Sequence, residues 1–440
     1  MPPSIADLVR SAGVVGAGGA GFPTYVKLGA KVDTYLVNAA ECEPLMYKDK
    51  ELARLETKRL MDGLRLAMEA TGAVQGIVCI KEKYHDAIDA IEPYLMGGVR
   101  LHRFENFYPA GDEFVVVYDA TGRLIPPGGI PLQVGCVVSN VETLVNVARA
   151  VEGVPVTAKA LTVAGAVAEP ASFVVPLGTS IREVIDAAGG ATVEDPVVLD
   201  GGAMMGRAVT DLAAPVTRVT GGYVVLHRDH PLVRRRLRPP EVNARIARSA
   251  CDQCSFCTEL CPRYLLGYAI EPHKVMRQVG FAGEKAEGWG RYGLLCCECG
   301  ICDQFACPED LPPRQMCVDA KHALAAAGRK PAFPPSRGVP HPLRDARRVP
   351  VPRLLERLGL VPYDRPAPMR DFPGRPARVH LPFKQHVGEP ARPVVAEGDR
   401  VRAGQVVAAV PREALGVDIH ASIDGRVSRV DDTGLRIERE

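Results

Sequence analysis

Cys251-Asp252-Gln253-Cys254-Ser255-Phe256-Cys257-Thr258-Glu259-Leu260-Cys261-Pro262 and Cys296-Cys297-Glu298-Cys299-Gly300-Ile301-Cys302-Asp303-Gln304-Phe305-Ala306-Cys307-Pro308 hold nine of the chain's 13 cysteines. Residues three apart on a tight loop can turn their sulfurs inward to three corners of a cubane, with a fourth thiolate arriving from elsewhere. In two-cluster ferredoxins the fourth cysteine of each run serves the other cluster. The spacing therefore predicts two [4Fe–4S] sites, one on Cys251, Cys254, Cys257 and Cys307 and one on Cys296, Cys299, Cys302 and Cys261, with Cys297 left over. The proline after each run takes the chain away from the cluster and removes one backbone donor. A zinc ribbon is the alternative use of CxxC pairs. Structural disulfides fit poorly with adjacent CxxC triplets in a chain that shows no secretory leader. Cys42, Cys79, Cys136 and Cys317 are scattered and read as small buried apolar residues.

Around this centre the chain is long enough for about three domains. Its 54 basic and 52 acidic residues nearly cancel, which leaves no electrostatic footprint for nucleic acid or an anionic membrane. No apolar run approaches the roughly 18 residues of a membrane span, and Met1-Pro2-Pro3-Ser4 lacks a basic region followed by an apolar core. A cytoplasmic protein is expected.

Residues up to about 150 alternate strand-like runs, at Thr34 to Val37 and Gly76 to Ile80, with helix-like spacing at Lys50 to Ala70 and His85 to Leu95. This predicts an α/β layer domain. From Leu161 to Leu226, short β-branched runs surround one helix at Ile181 to Ala188, whose start carries a Ser180/Glu183 capping box; a small mixed sheet is expected. Pro239 to Ala327 reads as the helical cluster module. Gly328 to Ala377, rich in Pro and Arg, reads as a linker without regular structure and with a solvated charge. From Val379 onward, short strands and Gly-containing turns return, predicting a small all-β unit.

Gly16-Ala17-Gly18-Gly19-Ala20-Gly21 spells G-x-G-x-x-G, but only Val14-Val15 precedes it, after a helix-like Ile5 to Ser11, so it is not a Rossmann turn. Its physical content survives: glycines let the backbone approach a phosphate or a flat ring. Asn38-Ala39-Ala40-Glu41-Cys42-Glu43-Pro44 follows a strand, at the end where α/β folds bind ligands.

With Phe22-Pro23-Thr24, Lys27, Tyr108-Pro109-Ala110-Gly111-Asp112-Glu113 and Asn140-Val141-Glu142-Thr143, these segments resemble the flavin-binding domain shared by the NADH-binding subunit of respiratory complex I and the C subunit of the Rnf complex. The resemblance implies that Gly16, Gly18, Gly19, Gly21, Lys27, Asn38, Glu41, Glu113 and Asn140 line an FMN, and that Phe22 and Glu43 serve NADH above it. In domain order, and in Cys257-Thr258-Glu259-Leu260-Cys261-Pro262-Arg263, the x4 gap before Cys307 and His420-Ala421-Ser422-Ile423-Asp424-Gly425, the chain is similar to the cobalamin reductases of bacterial propanediol utilisation.

That resemblance implies a multidomain α/β protein: an FMN/NADH-binding domain over 1–155, a soluble-ligand-binding β-grasp over 156–235, a helical module with two [4Fe–4S] clusters over 239–327, the linker over 328–377 and a lipoyl-like barrel-sandwich hybrid over 378–440. No carrier role is implied for the last, because its hairpin presents Asp424-Gly425 where a carrier has its modified lysine. The implied activity is NADH-dependent reduction of cobalamin, with a cobalamin adenosyltransferase as partner and a bacterial microcompartment, with its shell proteins, as setting. An Rnf-like electron-input subunit and a non-enzymatic electron relay or scaffold are the alternative readings. No Asp-x-His-x-x-Gly string offers a cobalt ligand.

Overall fold

The computed structural model describes residues 3–281, 292–326, 328, 332–333 and 335–440. The part of the expected helical module over 282–291, and its boundary at 327, lie outside the described residues. The chain begins with a helix, Ile5–Ser11, capped by the Ser4 hydroxyl and closed by an Asp7 capping box. A four-stranded parallel sheet follows, in the order Val99–Phe104, Gln75–Lys81, Thr34–Ala39, Cys136–Asn140. The two central strands, Gln75–Lys81 and Thr34–Ala39, carry continuous apolar runs because both faces are covered, whereas the edge strand Val99–Phe104 alternates with Arg and His.

On one face lie Thr57–Thr71 and Val141–Val151. Leu60, Met61, Leu64, Ala67 and Met68 recur at helical spacing and all are buried, each large side chain worth about 1.5–3 kcal/mol of transfer. The two helices meet at Gly63, where a Cβ would lie 2.0 Å from the Leu144 carbonyl, so that crossing tolerates no side chain. The expected single helix from Lys50 to Ala70 is two, Lys48–Leu55 and Thr57–Thr71, broken at Glu56. Arg59 and Arg149 pair with the Glu56 carboxylate at that junction. On the other face, Leu36, Ile77, Cys79 and Val138 pack against Glu113–Thr121 and against Leu266, Tyr268 and Ile270 of the cysteine module.

The second sheet is mixed, with Ala158–Gly165 parallel to Gly222–His227 and antiparallel to Ala171–Pro176. Pro196–Asp200 and Arg207–Val209 complete one edge, and Met369–Arg370 pairs on the other. Its helix, Ile181–Ala187, carries the Ser180/Glu183 capping box.

Helices Pro240–Ala250, Phe256–Glu259, Pro262–Leu265, Pro272–Phe281 and Pro313–Ala326, with a π-helical turn Cys302–Ala306, surround the cysteines. The C-terminal region folds into a sheet in the order Arg378–Pro382, Gly434–Glu438, Gly425–Val430, Arg400–Val401, and a smaller one of Arg392–Pro393, Val406–Ala409 and Ile419–His420. It leans on both preceding domains: Val387 N–H donates to the Gly21 carbonyl of the first, and Arg218 of the second, fully buried, donates to the Asp418 carbonyl at 2.7 Å.

The expectation of an unstructured linker over 328–377 is corrected. Val349–Pro350 pairs with Phe107–Tyr108, and Val351–Leu358 is a helix burying Val351, Leu354, Leu355 and Leu358. Its prolines sit at and just before the first turn, where no backbone donor is lost, and Gly359 stops it in the left-handed conformation. Nor is the charge merely solvated. Arg344 and Arg348 both bind Asp119, whose side chain is 7% exposed.

Candidate functional site

The glycine loop is a reversed turn closed by hydrogen bonds from Gly16 N–H to the Phe22 carbonyl and from Gly21 N–H to the Gly16 carbonyl. Gly18, Gly19 and Ala20 form its exposed tip, and Phe22 is half-buried beside it. A Cβ on Gly18 would lie 3.4 Å from the Asn140 Cβ, whereas one on Gly19 would meet nothing within 4 Å. The loop thus rests on Asn140 and leaves open space above.

Its base is fixed from two sides. Ala17 N–H donates to the Thr143 hydroxyl at 2.9 Å, and the Lys159 ammonium, from the first strand of the mixed sheet, donates to the Ala17 carbonyl at 3.3 Å. Lys159 also bonds Glu142; Glu142 accepts from Ala160 N–H and from Lys48, and Lys48 pairs with Asp49 at 2.6 Å. Asn140, the helix cap, donates to Asp49 at 2.7 Å. All four charged members are at most 8% exposed. Burial works against the Lys48 charge, yet Asp49 and Glu142 hold its pKa up, while burial brings Lys159 down to about 8.

Asn38 ends its strand with its amide donating to the Gly111 carbonyl at 2.9 Å. Glu41, at φ +35°, turns its carboxylate to the start of the Lys48–Leu55 helix, accepting from the Asp49 and Lys50 amides. Burial, then the neighbouring Asp49, pushes it up to about 8. Lys27 donates to the Val138 carbonyl at 2.8 Å and faces Glu113. Burial lowers the lysine and raises the carboxyl. Asn38, Glu41, Lys27, Glu113, Asn140 and the glycine loop thus surround the carboxyl ends of the parallel strands. Their mix of buried donors and acceptors beneath an open glycine tip suits a ring carrying polar edges and a phosphate. Glu43 points elsewhere: both its oxygens accept, from Met204 and Met205 N–H at 2.9 Å each. This anchors the Gly201–Gly206 loop, and burial pushes the carboxyl up to about 7.

The two cysteine runs make the same turn. Gln253 and Glu298, each two residues after its run's first cysteine, have φ of +58° and +61°, and Ser255 and Gly300, four after it, have +65° and +78°. Cys251, Cys254, Cys257 and Cys307 line one cavity with His273 and Leu311. Cys261 neighbours Cys296 and Cys297, and Cys302 neighbours Cys296 and Cys261. Donors already address the sulfurs: Gln253 Nε2 to Cys251 at 3.0 Å, Glu298 N–H to Cys296 at 3.3 Å and Leu311 N–H to Cys307 at 3.4 Å. Among the described residues, no three His, Cys, Asp or Glu side chains are grouped to hold a single metal ion; Cys251, Cys254, Cys257 and Cys307 instead stand around a shared cavity. Cys317, read from sequence as an ordinary apolar residue, is buried against Cys296.

Two buried contacts join the flavin-type lobe to the cysteines. Asp112 caps Glu113–Thr121 and accepts from Arg263 at 2.9 Å, and that guanidinium stacks 3.5 Å over Phe114. The Tyr108 hydroxyl donates to the Cys299 carbonyl at 2.6 Å. Lys159 is a functional neighbour that sequence reading passed over, and Arg263, quoted there only as the end of a cysteine motif, gains its bond to Asp112 from the fold. The signal for Lys159 was a lysine inside an otherwise apolar strand, Ala158–Gly165.

A glycine-loop flavin lobe tied to a dicluster module defines an iron–sulfur flavoprotein. The domain families agree: residues 9–149 match the Nuo51 FMN-binding domain, 161–208 the SLBB domain, 250–312 the 4Fe-4S dicluster domain and 367–438 the RnfC barrel sandwich hybrid domain. The chain is 46% identical over 436 residues, 99% of its own length and 96% of the other's, to cobalamin reductase PduS of Salmonella typhimurium, and 44% identical over 437 residues to that of Citrobacter freundii. It belongs to the PduS cobalamin reductase family. Similarity to the C subunit of the proton-translocating ferredoxin:NAD(+) oxidoreductase complex of Clostridium ljungdahlii is 33% over 265 residues, 59% of this chain and 55% of that one. An NAD+-reducing [NiFe]-hydrogenase in the H2-reduced state shares the fold, with a TM-score of 0.51 at 23% identity, over 74% of this chain and 63% of that chain's length.

Proposed function

We propose that this chain oxidises NADH and delivers the electrons singly to the cobalt of cob(III)alamin or cob(II)alamin. One NADH would reduce two cob(III)alamin, yielding NAD+, one proton and two cob(II)alamin. The observation that carries the reading is 46% identity to a PduS reductase along 99% of the chain, in a protein whose flavin-type lobe and cysteine runs are bonded to each other. FMN, when bound, supplies the exchange between a two-electron donor and one-electron acceptors.

In this reading Gly16, Gly18, Gly19 and Gly21 admit the cofactor, Lys27, Asn38, Glu41, Glu113 and Asn140 hold its polar edges, and Phe22 orients the nicotinamide. Hydride transfer depends on that orientation rather than on a dedicated acid or base. For Glu43 the occupied carboxylate supports a positioning role, fixing the SLBB loop against the site. Cys251, Cys254, Cys257 and Cys307 would hold one [4Fe–4S] cluster, and Cys296, Cys299, Cys302 and Cys261 the other. Among the described residues no helix is long and apolar enough to cross a membrane. We place the protein in the cytoplasm, in a bacterial microcompartment with its shell proteins, handing reduced cobalamin to an adenosyltransferase.

Anaerobic titration with NADH, followed by cob(III)alamin, tests the reading. Bleaching of the flavin band and its recovery on adding cobalamin are expected. Bleaching without cobalamin turnover would favour an electron-input subunit of the Rnf type.

A further inference from the structure

Between the end of the mixed-sheet domain and the π-helical turn lies a cleft of about 980 Å³, counted to its open mouth, walled by Arg235, Arg236, Arg238, Asn243, Gln304 and Gln315. It touches both cysteine sites. Asp303, which directly follows Cys302, lines it, and Leu311 separates it from the cavity of Cys251, Cys254, Cys257 and Cys307.

Its chemistry is unfinished. Gln304 is 3% exposed, yet its Oε1 has no hydrogen-bond partner, and the Nε groups of Arg235 and Arg236 are likewise buried and unpartnered. Such groups cost free energy unless something completes them. Of the two carboxylates in the wall, Asp310 is taken by Arg235 at 2.8 Å and Arg357 at 3.1 Å, and Asp303 accepts from the Arg314 amide, which leaves three guanidinium groups facing two engaged carboxylates, an excess of positive charge. The helix Pro240–Ala250 also points its N-terminus here. An acceptor in want of N–H donors, donors in want of acceptors and unspent positive charge together describe a ligand with primary carboxamides and an anionic phosphodiester. A corrinoid with its nucleotide loop has both, the amides around the ring and the phosphate below it.

The geometry points to this cleft, outside the SLBB match, as the docking site of the corrinoid acceptor, beside the residues that flank both cysteine sites. The assignment rests on the cobalamin reading above. Clusters held by the cysteines beside this cleft would supply single electrons to cobalt there, with no bond made or broken in the protein.

The test is equilibrium dialysis of the cluster-loaded protein against cob(III)alamin and against cobinamide, which lacks the phosphodiester, with NADH-dependent reduction of ferricyanide and of cobalamin measured in parallel. Arg238→Glu, at the rim, should weaken cobalamin binding about tenfold, the scale of one charge-assisted contact, and remove the preference for cobalamin over cobinamide. Ferricyanide reduction should be unchanged. Gln304→Leu should weaken both corrinoids. Wild-type affinity retained in Arg238→Glu, equal binding of the two corrinoids by the wild type, or no binding at all would overturn the site. Normal binding without NADH-driven reduction would instead overturn the proposed function and leave the site standing.

Discussion

The flavin-type lobe and the cysteine module solve the problem of burying polar groups in opposite ways. In the first, Lys48, Asp49, Glu142, Lys159 and Asn140 complete one another, so the floor under the glycine loop is satisfied by protein alone. In the second, backbone turns aim thiols at cavities, and the thiols find few partners. Burial, then Cys254, Cys307 and Cys251 around it, pushes Cys257 up to about 12. A metal centre must displace that proton, and its binding energy then becomes folding energy. The lesson is that one lobe should stand without its cofactor and the other should not.

The sharpest break of that contrast is Cys307→Ser. Iron content should fall from about eight to about four per chain, with a large loss of thermal stability confined to the cysteine module. FMN content, measured after acid release, should be unchanged. Next, Lys159→Met leaves Lys48, 3.4 Å away, as the one cation on buried Glu142 and strips the Ala17 carbonyl of its lysine donor, which should cost about 1–3 kcal/mol, read as a lowered Tm of the flavin lobe and weaker FMN retention, with iron content intact.

A smaller effect is expected from Glu43. Its folded-state pKa, about 7, lies above the ordinary 4.5, so the folded protein holds the proton more tightly than the unfolded one. The contribution of Glu43 to stability should therefore be full below about 4.5 and be lost as pH rises through about 7. In Glu43→Gln that decline should be shallower in a urea-denaturation series; an identical slope would deny the carboxyl its buried position. Smallest in structural terms is Phe22→Ala, which should slow reduction of the flavin by NADH about tenfold or more while FMN stays bound. Loss of flavin there would move Phe22 from the nicotinamide to the cofactor's own site.

The contrast also sets what can be read from the sequence. Cysteine spacing is local chemistry, and the doubled run is legible before any fold is known. The capping box at Ser180 and the strands through Leu36 and Val78 are legible for the same reason. The ion network is not, because Lys48, Glu142 and Lys159 are far apart in the chain and only the fold converts three charges into one buried group. The strap Val351–Leu358 escapes a sequence reading because Pro350 and Pro352 look like breakers, although proline at the start of a helix is favourable. Glu43 is legible as a special residue, since two acids flank Cys42 at the end of a strand. Its partners, the Met204 and Met205 amides, are not.

Two buried contacts, Asp112–Arg263 and Tyr108–Cys299, make the contrasting lobes one conductor in this account. Low-temperature EPR of the anaerobic protein during stepwise addition of NADH tests that most directly. Reduced-cluster signals should grow as the flavin band bleaches, and both should reverse on adding cob(III)alamin. A fully bleached flavin beside clusters that stay oxidised and EPR-silent would contradict the account.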